Sequence, residues 1–262
     1  MEVVHPEFDP EPGIDREEME RLQRDVAASA HFSDDHDLDP DGIRIDDPIP
    51  LDQTDRPRTP GTGPIIAGVD QAFLDETAVS VVVAMQSSDV VAVTTARTPL
   101  EVPYIPGLLA FREGPPIVEA LEGLSVDPDL VFFDGSGRIH FRQAGIATHV
   151  GVVFDVPAIG VAKNLLCGRQ ESDGSFPLPE GTRIPILSDS SVDAPESTVI
   201  GYAFQSRQFD NPSRRHVNPL YVSPGHRVSA GTAVDFTEAV CAGYKLPEPI
   251  RLADSLADDV VG

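Results

Sequence analysis

The chain has 262 residues, of which 40% are hydrophobic, and it carries 43 acidic against 19 basic side chains, a formal charge of −24. This length and hydrophobic content suit one large α/β domain or one domain with an extension, and they exclude a globally disordered chain. No hydrophobic run approaches the roughly 18 residues of a membrane span, and the 2 cysteines are too few for a disulfide framework, so we expect a cytoplasmic protein without a membrane partner.

The acidity is of an unusual kind, because 17 of the 19 basic residues are arginine and only Lys163 and Lys245 are lysine. This composition resembles that of proteins from extreme halophiles, whose acidic and lysine-poor surfaces stay soluble in concentrated salt. At about 1 M salt the Debye length is about 3 Å, so distant like charges are mostly screened from one another. The charge then indicates the solvent more than the partner, and it does not by itself exclude nucleic acid. An acidic interaction protein of ordinary cytoplasm is the alternative.

The negative charge is concentrated near the N-terminus, where residues 1–62 hold 18 acids and 6 arginines. The spacing of Met19, Leu22 and Val26 predicts a short helix over residues 16–30, and the Asp- and Pro-rich residues 32–62 predict a loose linker. We interpret this N-terminal part as a solvated tail. The main domain is predicted to span residues 63–262.

The main domain begins with strands. β-branched or apolar runs separated by short polar turns predict a three-stranded antiparallel meander, with strands at residues 65–73, 78–85 and 90–95. Residues 108–124 follow and predict a helix that is interrupted near Pro115 and Pro116.

Strands and helices alternate in the next part of the chain. The patterns predict, in order, a buried strand, a helix and a second strand at residues 129–133, 143–154 and 158–162. A later strand is expected to close at Val222, before a turn that holds His226, and Ser229 is expected to cap a helix that runs to about residue 242. This order of elements predicts an α/β fold with a mixed sheet flanked by helices.

Two aspartates on the predicted strands are candidates for chemistry. Asp70 lies inside an apolar run, where a carboxylate is costly unless it is paired, hydrogen-bonded or bound to metal. Asp134 ends a second buried strand, and ligand sites in α/β sheets favour such strand ends. Acids on adjacent strands are a means of gathering the oxygen ligands that Mg²⁺ prefers. The alternative for each aspartate is a turn or capping role.

Three further residues are candidates for the same site. Lys163 follows a predicted strand in a chain with almost no lysine, and its point charge suits a phosphate. His226 is a candidate proton carrier or phosphate ligand, and Glu113 is a candidate metal ligand. The alternatives are a surface lysine, a structural histidine and a solvated helix face.

The segment Pro103-Tyr104-Ile105-Pro106-Gly107 predicts a rigid turn, because its two prolines fix φ on either side of an aromatic residue. A turn that presents Tyr104 and Ile105 suits a wedge that occupies the space of an unstacked base. A core aromatic in a tight turn is the alternative.

Several motifs together resemble the endonuclease V family of deoxyinosine-directed DNA repair nucleases. They cover residues 64–242 in the family's order, and they are Ala67-Gly68-Val69-Asp70, the run from Pro103 through Gly107 to Phe111-Arg112-Glu113, the stretch from Asp134-Gly135 to His149, Gly160-Val161-Ala162-Lys163, and Ser223-Pro224-Gly225-His226-Arg227. Together with the composition, the resemblance implies a haloarchaeal source. It also implies a ribonuclease H-like fold and makes residues 63–262 the catalytic domain.

The resemblance implies roles for the candidate residues. Asp70 and Asp134 match the metal-binding aspartates, for Mg²⁺ or alternatively Mn²⁺, and the further active-site positions match Glu113, Lys163 and His226. Tyr104 matches the wedge aromatic, and Pro103, Ile105 and Pro106 belong to its DNA-contacting turn. The family binds DNA that contains deoxyinosine or other deaminated bases. It hydrolyses the second phosphodiester bond 3′ to the lesion and leaves the lesion in the nicked strand.

The sequence departs from the family at Ser136, where His or Asn is more common, and at Phe141 and Gln143, which replace a more basic stretch. These changes affect a phosphate contact or metal affinity and leave the acids intact. An inosine-RNA or structure-specific nuclease on the same fold is the alternative enzyme, and a nuclease-dead binding protein or acidic DNA mimic is the alternative outside enzymes. The sequence does not define an oligomeric state.

Overall fold

One nine-stranded sheet organises the residues that the computed structural model describes, which are 1–10, 13–172 and 177–261. The strands are β1 (Ile66–Leu74), β2 (Thr77–Gln86), β3 (Asp89–Pro99), β4 (Leu130–Asp134), β5 (Ala158–Ala162), β6 (Arg169–Gln170), β7 (Arg183–Leu187), β8 (Val199–Phe204) and β9 (Leu220–His226). The α-helices are α1 (Arg16–Ser29), α2 (Ala110–Glu122), α3 (Ile146–Phe154), α4 (Ala230–Ala239) and α5 (Glu248–Val261). Among these described helices, none has the length and hydropathy that crossing a membrane requires.

The sheet is mixed, with strand order β3-β2-β1-β4-β5-β9-β8-β7-β6. The first three strands form the predicted antiparallel meander, and β1, β4 and β5 run parallel to one another. The remaining neighbours, from β5 to β9 and on to β6, are antiparallel. This arrangement confirms the expected α/β fold with a ribonuclease H-like mixed sheet.

Alternation along β4 shows how the sheet separates two apolar layers. Leu130 and Phe132 pack in the cluster that includes the apolar faces of α4 and α5, whereas Val131 and Phe133 pack in the cluster that includes α2 and α3. A central parallel strand is buried on both faces in this way, so its sequence is a continuous apolar run. The first polar position, Asp134, comes where the strand ends.

Helix α2 continues through Pro115 and Pro116, so the predicted interruption is wrong. The two prolines lack the N–H groups that would bond the carbonyls four residues earlier, but their fixed φ is close to the helical value. Burial of Ile117 and Leu121 in the core holds the helix to the sheet despite those missing bonds.

Strand β9 also differs from the prediction, because it continues through Pro224 and Gly225 and ends at His226. The irregular pairing of β9 with β5, between Ala158 and Ile159, accommodates the proline. His226 therefore lies on a strand and not in a turn. The predicted cap at Ser229 is confirmed, since its side chain accepts the Thr232 N–H, but α4 ends at Ala239.

The N-terminal part is folded against the main body. Helix α1 is confirmed, with a capping box formed by Asp15 and Glu18, and both Gln23 and Val26 are fully buried. Ile43 and Ile45, from the region predicted to be a loose linker, lie in the core under α4 and α5. The interpretation as a solvated tail is wrong, because the spacing of apolar residues in α1 reflects packing on the domain.

Helix α5, which the sequence reading did not place, lies directly on β1. A Cβ atom at Gly68 would be 2.1 Å from the backbone carbon of Pro249, so only glycine permits this close approach. The first turn of α5 is fixed by the fully buried Glu248, which pairs with Arg251 and accepts the Ile49 N–H. The helix is thereby held against the face of β1 that carries Asp70.

Candidate active site

Asp70 and Asp134 meet at the carboxyl ends of neighbouring parallel strands. Val69 of β1 pairs with Phe133 of β4, so the two aspartates occupy the next matched positions. Adjacent strands lie about 4.8 Å apart, which brings the two carboxylates close together on the α5 face of the sheet. The expectation that β1 and β4 gather these acids therefore agrees with the geometry.

Asp254 of α5 completes the cluster. Asp70, Asp134 and Asp254 each offer a carboxylate oxygen, and these three oxygens all lie within 4.8 Å of one another. Sequence reading missed Asp254, because an aspartate on a C-terminal amphipathic helix is usually solvated. The only signal was indirect, since Gly68 in a buried strand indicates a close approach by another element.

Lys163 closes the cluster from β5. Its Nζ lies 2.8 Å from Asp134 Oδ2 and 3.2 Å from Asp254 Oδ1. Burial opposes the charge on Lys163, but the hydrogen bond and charge of Asp134 outweigh it and raise the pKa of the ammonium group. The lysine thus stays charged and offsets part of the repulsion among the acids.

The repulsion that remains among the acids affects the protonation of Asp70. Burial, and then the negative charge of Asp134, raise the pKa of Asp70 to about 8. Hard carboxylate oxygens in this number and spacing are the donor set that suits a divalent cation such as Mg²⁺. A cation held there would relieve the repulsion, so the residues present fit the metal that the sequence predicted.

Glu113 lies beside this cluster and not within it. It lines two hollows together with Asp134, and its backbone carbonyl accepts a 2.9 Å hydrogen bond from Gln71. Burial raises the pKa of Glu113 to about 7, which the charge of Arg112 opposes and that of Asp134 reinforces. A carboxyl group that titrates near neutral pH can exchange a proton with a water or a phosphate oxygen.

Tyr104 stands at the rim of a small cavity next to the acids. Its side chain is 65% exposed, and Pro103 and Pro106 beside it are also exposed, which excludes the alternative of a core aromatic. The turn is anchored by the buried residues Val102 and Leu108. The cavity beneath has a volume of about 180 Å³, and Asp134 forms part of its lining.

The carbonyl of Gly107, in the wedge turn, is held by two buried donors. Gln23 of α1 donates to it from Nε2 at 2.9 Å, and His140 lies 3.1 Å away through its Nε2. Since the Arg142 N–H donates to Nδ1 of His140, the proton of the neutral ring is on Nε2 and points at Gly107. Burial lowers the pKa of His140 to about 4, so this arrangement persists at neutral pH.

His226 is not part of the acidic cluster, so the geometry contradicts its predicted place there. It pairs with Ala158, whereas Asp134 pairs with Val161, three positions along β5 and about 10 Å away. Its Nε2 donates to Asp155 at 3.0 Å, and its Nδ1 accepts the His31 N–H at 3.2 Å. His226 therefore ties the N-terminal part to the far end of the sheet.

A wider hollow of about 890 Å³ opens at that far end and is lined by several acids, among them Asp127 and Asp155. Within the described residues, the group of three potential metal ligands is found at Asp70, Asp134 and Asp254 and not in this hollow. We therefore place the candidate site at the carboxyl ends of β1, β4 and β5.

Comparisons with known proteins point to one family. The model of the endonuclease V family matches residues 51–255. The endonuclease V of Halobacterium salinarum is 56% identical, with 99% of this chain and 100% of the relative covered. The solved endonuclease V of Streptomyces avermitilis is 33% identical, with a TM-score of 0.71 and coverage of 95% and 94%. That of Ciona intestinalis, in complex with a 24mer DNA containing an inosine followed by a ribo-adenosine, is 22% identical, with a TM-score of 0.69 and coverage of 94% and 97%.

Proposed function

The chain belongs to the endonuclease V family of endonucleases that act on DNA, and we propose that it is a Mg²⁺-dependent repair enzyme for deoxyinosine. In this proposal it hydrolyses the second phosphodiester bond 3′ to the lesion and leaves the lesion in the nicked strand. The observation that carries the proposal is the cluster of Asp70, Asp134 and Asp254 beside a small cavity under Tyr104.

The acids would hold the metal. Asp70, Asp134 and Asp254 are the proposed ligands for Mg²⁺, with Mn²⁺ as an alternative. A bound divalent cation supplies neutralisation of phosphate charge and activation of a water. Glu113 lies close enough to Asp134 for the charge of that carboxylate to raise the pKa of Glu113 further. It is proposed to hold or exchange a proton of the attacking water.

Lys163 is proposed to contact the scissile phosphate. It is charged, half exposed, and already lies against two of the carboxylates. With Asp134 and Asp254 engaged as ligands of a divalent cation, the Nζ of Lys163 would be free to contact a non-bridging phosphate oxygen. Its point charge then stabilises the negative charge that develops as water attacks phosphorus and the P–O bond breaks.

The cavity under Tyr104 is proposed to receive the flipped base. Its volume of about 180 Å³ is below the usual range of ligand pockets, about 300–1,000 Å³, and suits a single flat ring system. Tyr104, with Pro103, Ile105 and Pro106, forms the rigid turn that would fill the space left by that base. A weak inosine pair costs less to open than a normal pair, which supports selectivity for this lesion.

The catalytic domain is proposed to comprise residues 63–262, with residues 1–62 as the acidic helix and linker that pack on it.

Both cysteines, Cys167 and Cys241, are free, which supports a reducing cytoplasm as the compartment.

Matched inosine-containing DNA and RNA strands test the proposed substrate. We expect Mg²⁺-dependent nicking of the inosine DNA, with the cut mapped to the second bond 3′ to the lesion. Faster cleavage of the RNA strand would favour the inosine-RNA nuclease, and equal cleavage of strands with and without inosine would favour a structure-specific one. Binding without cleavage would indicate a nuclease-dead protein.

A further inference from the structure

The loop between β8 and β9 has a charge opposite to that of the rest of the protein. This basic loop, residues 205–217, holds Arg207, Arg214 and Arg215 against the single acid Asp210, a formal charge of 3 − 1 = +2. The whole chain carries −24. A local excess of arginine is therefore a specific feature of this segment.

The basic loop lies at the same end of the sheet as the acidic cluster. It leaves β8 at Phe204, which pairs with Leu220 of β9, and the next residue of β9, Tyr221, pairs with Ala162 of β5. Lys163 follows Ala162 directly. The loop thus begins two strands away, and ends one strand away, from the strand that Lys163 follows.

The basic loop is also packed against the turn between α4 and α5, which carries Lys245. The Oγ of Ser206 donates a 2.6 Å hydrogen bond to the carbonyl of Lys245, and the guanidinium of Arg207 donates to the carbonyl of Gly243. Loop and turn therefore form one continuous surface.

Both lysines of the chain, Lys163 and Lys245, lie near this surface. Burial, followed by the positive charge of Lys163, lowers the pKa of Lys245, and the charge of Asp134 opposes that change. In the described part of the chain, no carboxylate forms an ion pair with Lys245 or with an arginine of the basic loop. Cations without such partners, in a chain so rich in acids, are available to an external anion.

The exposed part of the loop has the form of a nucleic-acid contact. Arg214 and Arg215 are exposed, and the guanidinium of Arg215 lies 4.4 Å from the centre of the Phe209 ring, with that of Arg207 at 5.9 Å. Stacking on an aromatic ring orders a guanidinium and leaves its N–H groups free for phosphate oxygens. Aromatic and basic side chains combined in this way are typical of surfaces that follow a single strand.

We propose that Lys245 and the basic loop bind the phosphate backbone of the cleaved strand on the 3′ side of the scissile bond. The proposal depends on the proposed function, because that function places the lesion base in the cavity under Tyr104. That cavity lies on the α2 and α3 side of the acids, whereas Lys245 and the basic loop lie on the α4 and α5 side. A strand that passes the acids in the 3′ direction therefore runs toward the basic loop.

The test compares inosine oligonucleotides that differ only in the length of strand beyond the cut. One has a 3′ arm of about two nucleotides and the other an arm of about 12, which spans a typical single-strand site. The wild-type enzyme should nick the long substrate faster at subsaturating enzyme. Substitution of both Arg214→Gln and Arg215→Gln should reduce that long-to-short ratio by about tenfold at low salt and reduce the salt slope by about 1 to 2.

Matched variants separate charge from fold. Arg56→Gln removes an exposed arginine next to Gln53 and Val90, at the opposite end of the sheet, and it should keep the wild-type ratio. Replacing Arg214 and Arg215 with lysine should retain most of the ratio, because the charges remain. A long-to-short ratio that the glutamine variant leaves unchanged would overturn the proposal, as would a wild-type enzyme indifferent to arm length.

Anisotropy of the same labelled oligonucleotides, without divalent cation, separates this proposal from the proposed function. Failure to nick inosine DNA would contradict the proposed function. Binding that depends on arm length, and that is lost when Arg214 and Arg215 are replaced by glutamine, would still support the proposed phosphate-binding surface. Binding that does not depend on arm length in the anisotropy experiment would overturn the proposal that Lys245 and the basic loop bind the strand.

Discussion

Asp70 and Asp134 occupy matched positions on adjacent parallel strands, one step beyond the pair formed by Val69 and Phe133. The cost of placing two carboxylates side by side is visible in the pKa of Asp70, which burial and the charge of Asp134 raise to about 8. Such an arrangement is unfavourable for the fold alone, and it is the kind of strain that clusters at functional sites.

Asp254 is predicted to be as necessary as the two strand aspartates. Asp254→Asn keeps the shape of the side chain but removes one charged ligand. Mg²⁺-dependent nicking should therefore fall at least about 100-fold, which corresponds to about 2.7 kcal/mol of lost transition-state stabilisation. Asp258→Asn, one turn later on α5 and exposed, is the matched control and should behave as wild type. Equal rates for Asp254→Asn and Asp258→Asn would remove Asp254 from the site.

Stability without metal should fall as pH rises. The pKa of Asp70 is about 8 in the folded protein, above the value of about 3.9 in an unfolded chain, so between these values the folded state binds more protons. Unfolding temperature in EDTA should therefore decrease from about pH 7 to about pH 8, at constant KCl. At lower pH the buried neutral rings of His140 and His149, whose pKa values lie at about 4, oppose this effect, because the unfolded chain binds the protons that these rings exclude. Mg²⁺ should stabilise more at high pH than at low pH, because binding requires the deprotonated carboxyl.

Asp70→Asn is the control for that pH dependence, since it removes the main titrating group and should reduce the slope to the smaller part that Glu113, with a pKa of about 7, contributes. A slope as steep in Asp70→Asn as in wild type would assign it to another group, and Mg²⁺ stabilisation that does not change with pH would contradict the role of Asp70 as a ligand.

Tyr104→Ala should mainly weaken binding to inosine duplexes. The exposed ring is expected to replace a base in the stack, and aromatic stacking contributes about 1–3 kcal/mol per base, so affinity should fall by about tenfold. Single-stranded inosine DNA has no pair to open, and it is the control substrate on which the loss should be smaller. An unchanged duplex affinity would count against the wedge.

Gln23 is predicted to hold the wedge turn from α1. Gln23→Leu leaves the Gly107 carbonyl with one donor and removes one of the acceptors of Arg142, which keeps its ion pair with Glu20. This loss should lower the free energy of unfolding by about 1–3 kcal/mol. Gln23→Glu keeps the acceptor for Arg142 and loses the donor to Gly107. If Gln23→Glu is as stable as wild type but binds inosine DNA more weakly, the hydrogen bond to Gly107 positions the wedge turn for DNA binding. If Gln23→Leu and Gln23→Glu both bind inosine DNA as wild type does, that hydrogen bond does not position the turn.

Local patterns in the sequence predicted the central half of the fold. Strands β1 to β5 follow from apolar runs and turns, and the two strand aspartates stand out because each interrupts or ends such a run. Long-range packing was not visible. Asp254 reaches the site only because Gly68 admits α5 against β1, and a helix–strand contact of that kind leaves no local pattern.

The errors have physical causes of the same type. His226 was placed at the active site because its motif resembles that of the family and because Pro224 and Gly225 are typical of a turn, whereas β9 passes through both residues. The N-terminal part was interpreted as solvated because of its charge, although several of its apolar residues, such as Val26, are buried in the core. Strands β6 to β8 were not predicted at all, and the loop that we propose binds the 3′ strand follows β8.

The metal site at Asp70, Asp134 and Asp254 is tested by nicking of an inosine oligonucleotide in about 1 M KCl, with and without Mg²⁺. At that salt the Debye length is about 3 Å, so long-range electrostatic attraction between protein and DNA is mostly screened. We expect wild type to cut at the second bond 3′ to inosine only when Mg²⁺ is present, and Asp134→Asn to bind the DNA without cutting it. Undiminished cleavage by Asp134→Asn, or cleavage that persists in EDTA, would contradict the metal site at Asp70, Asp134 and Asp254.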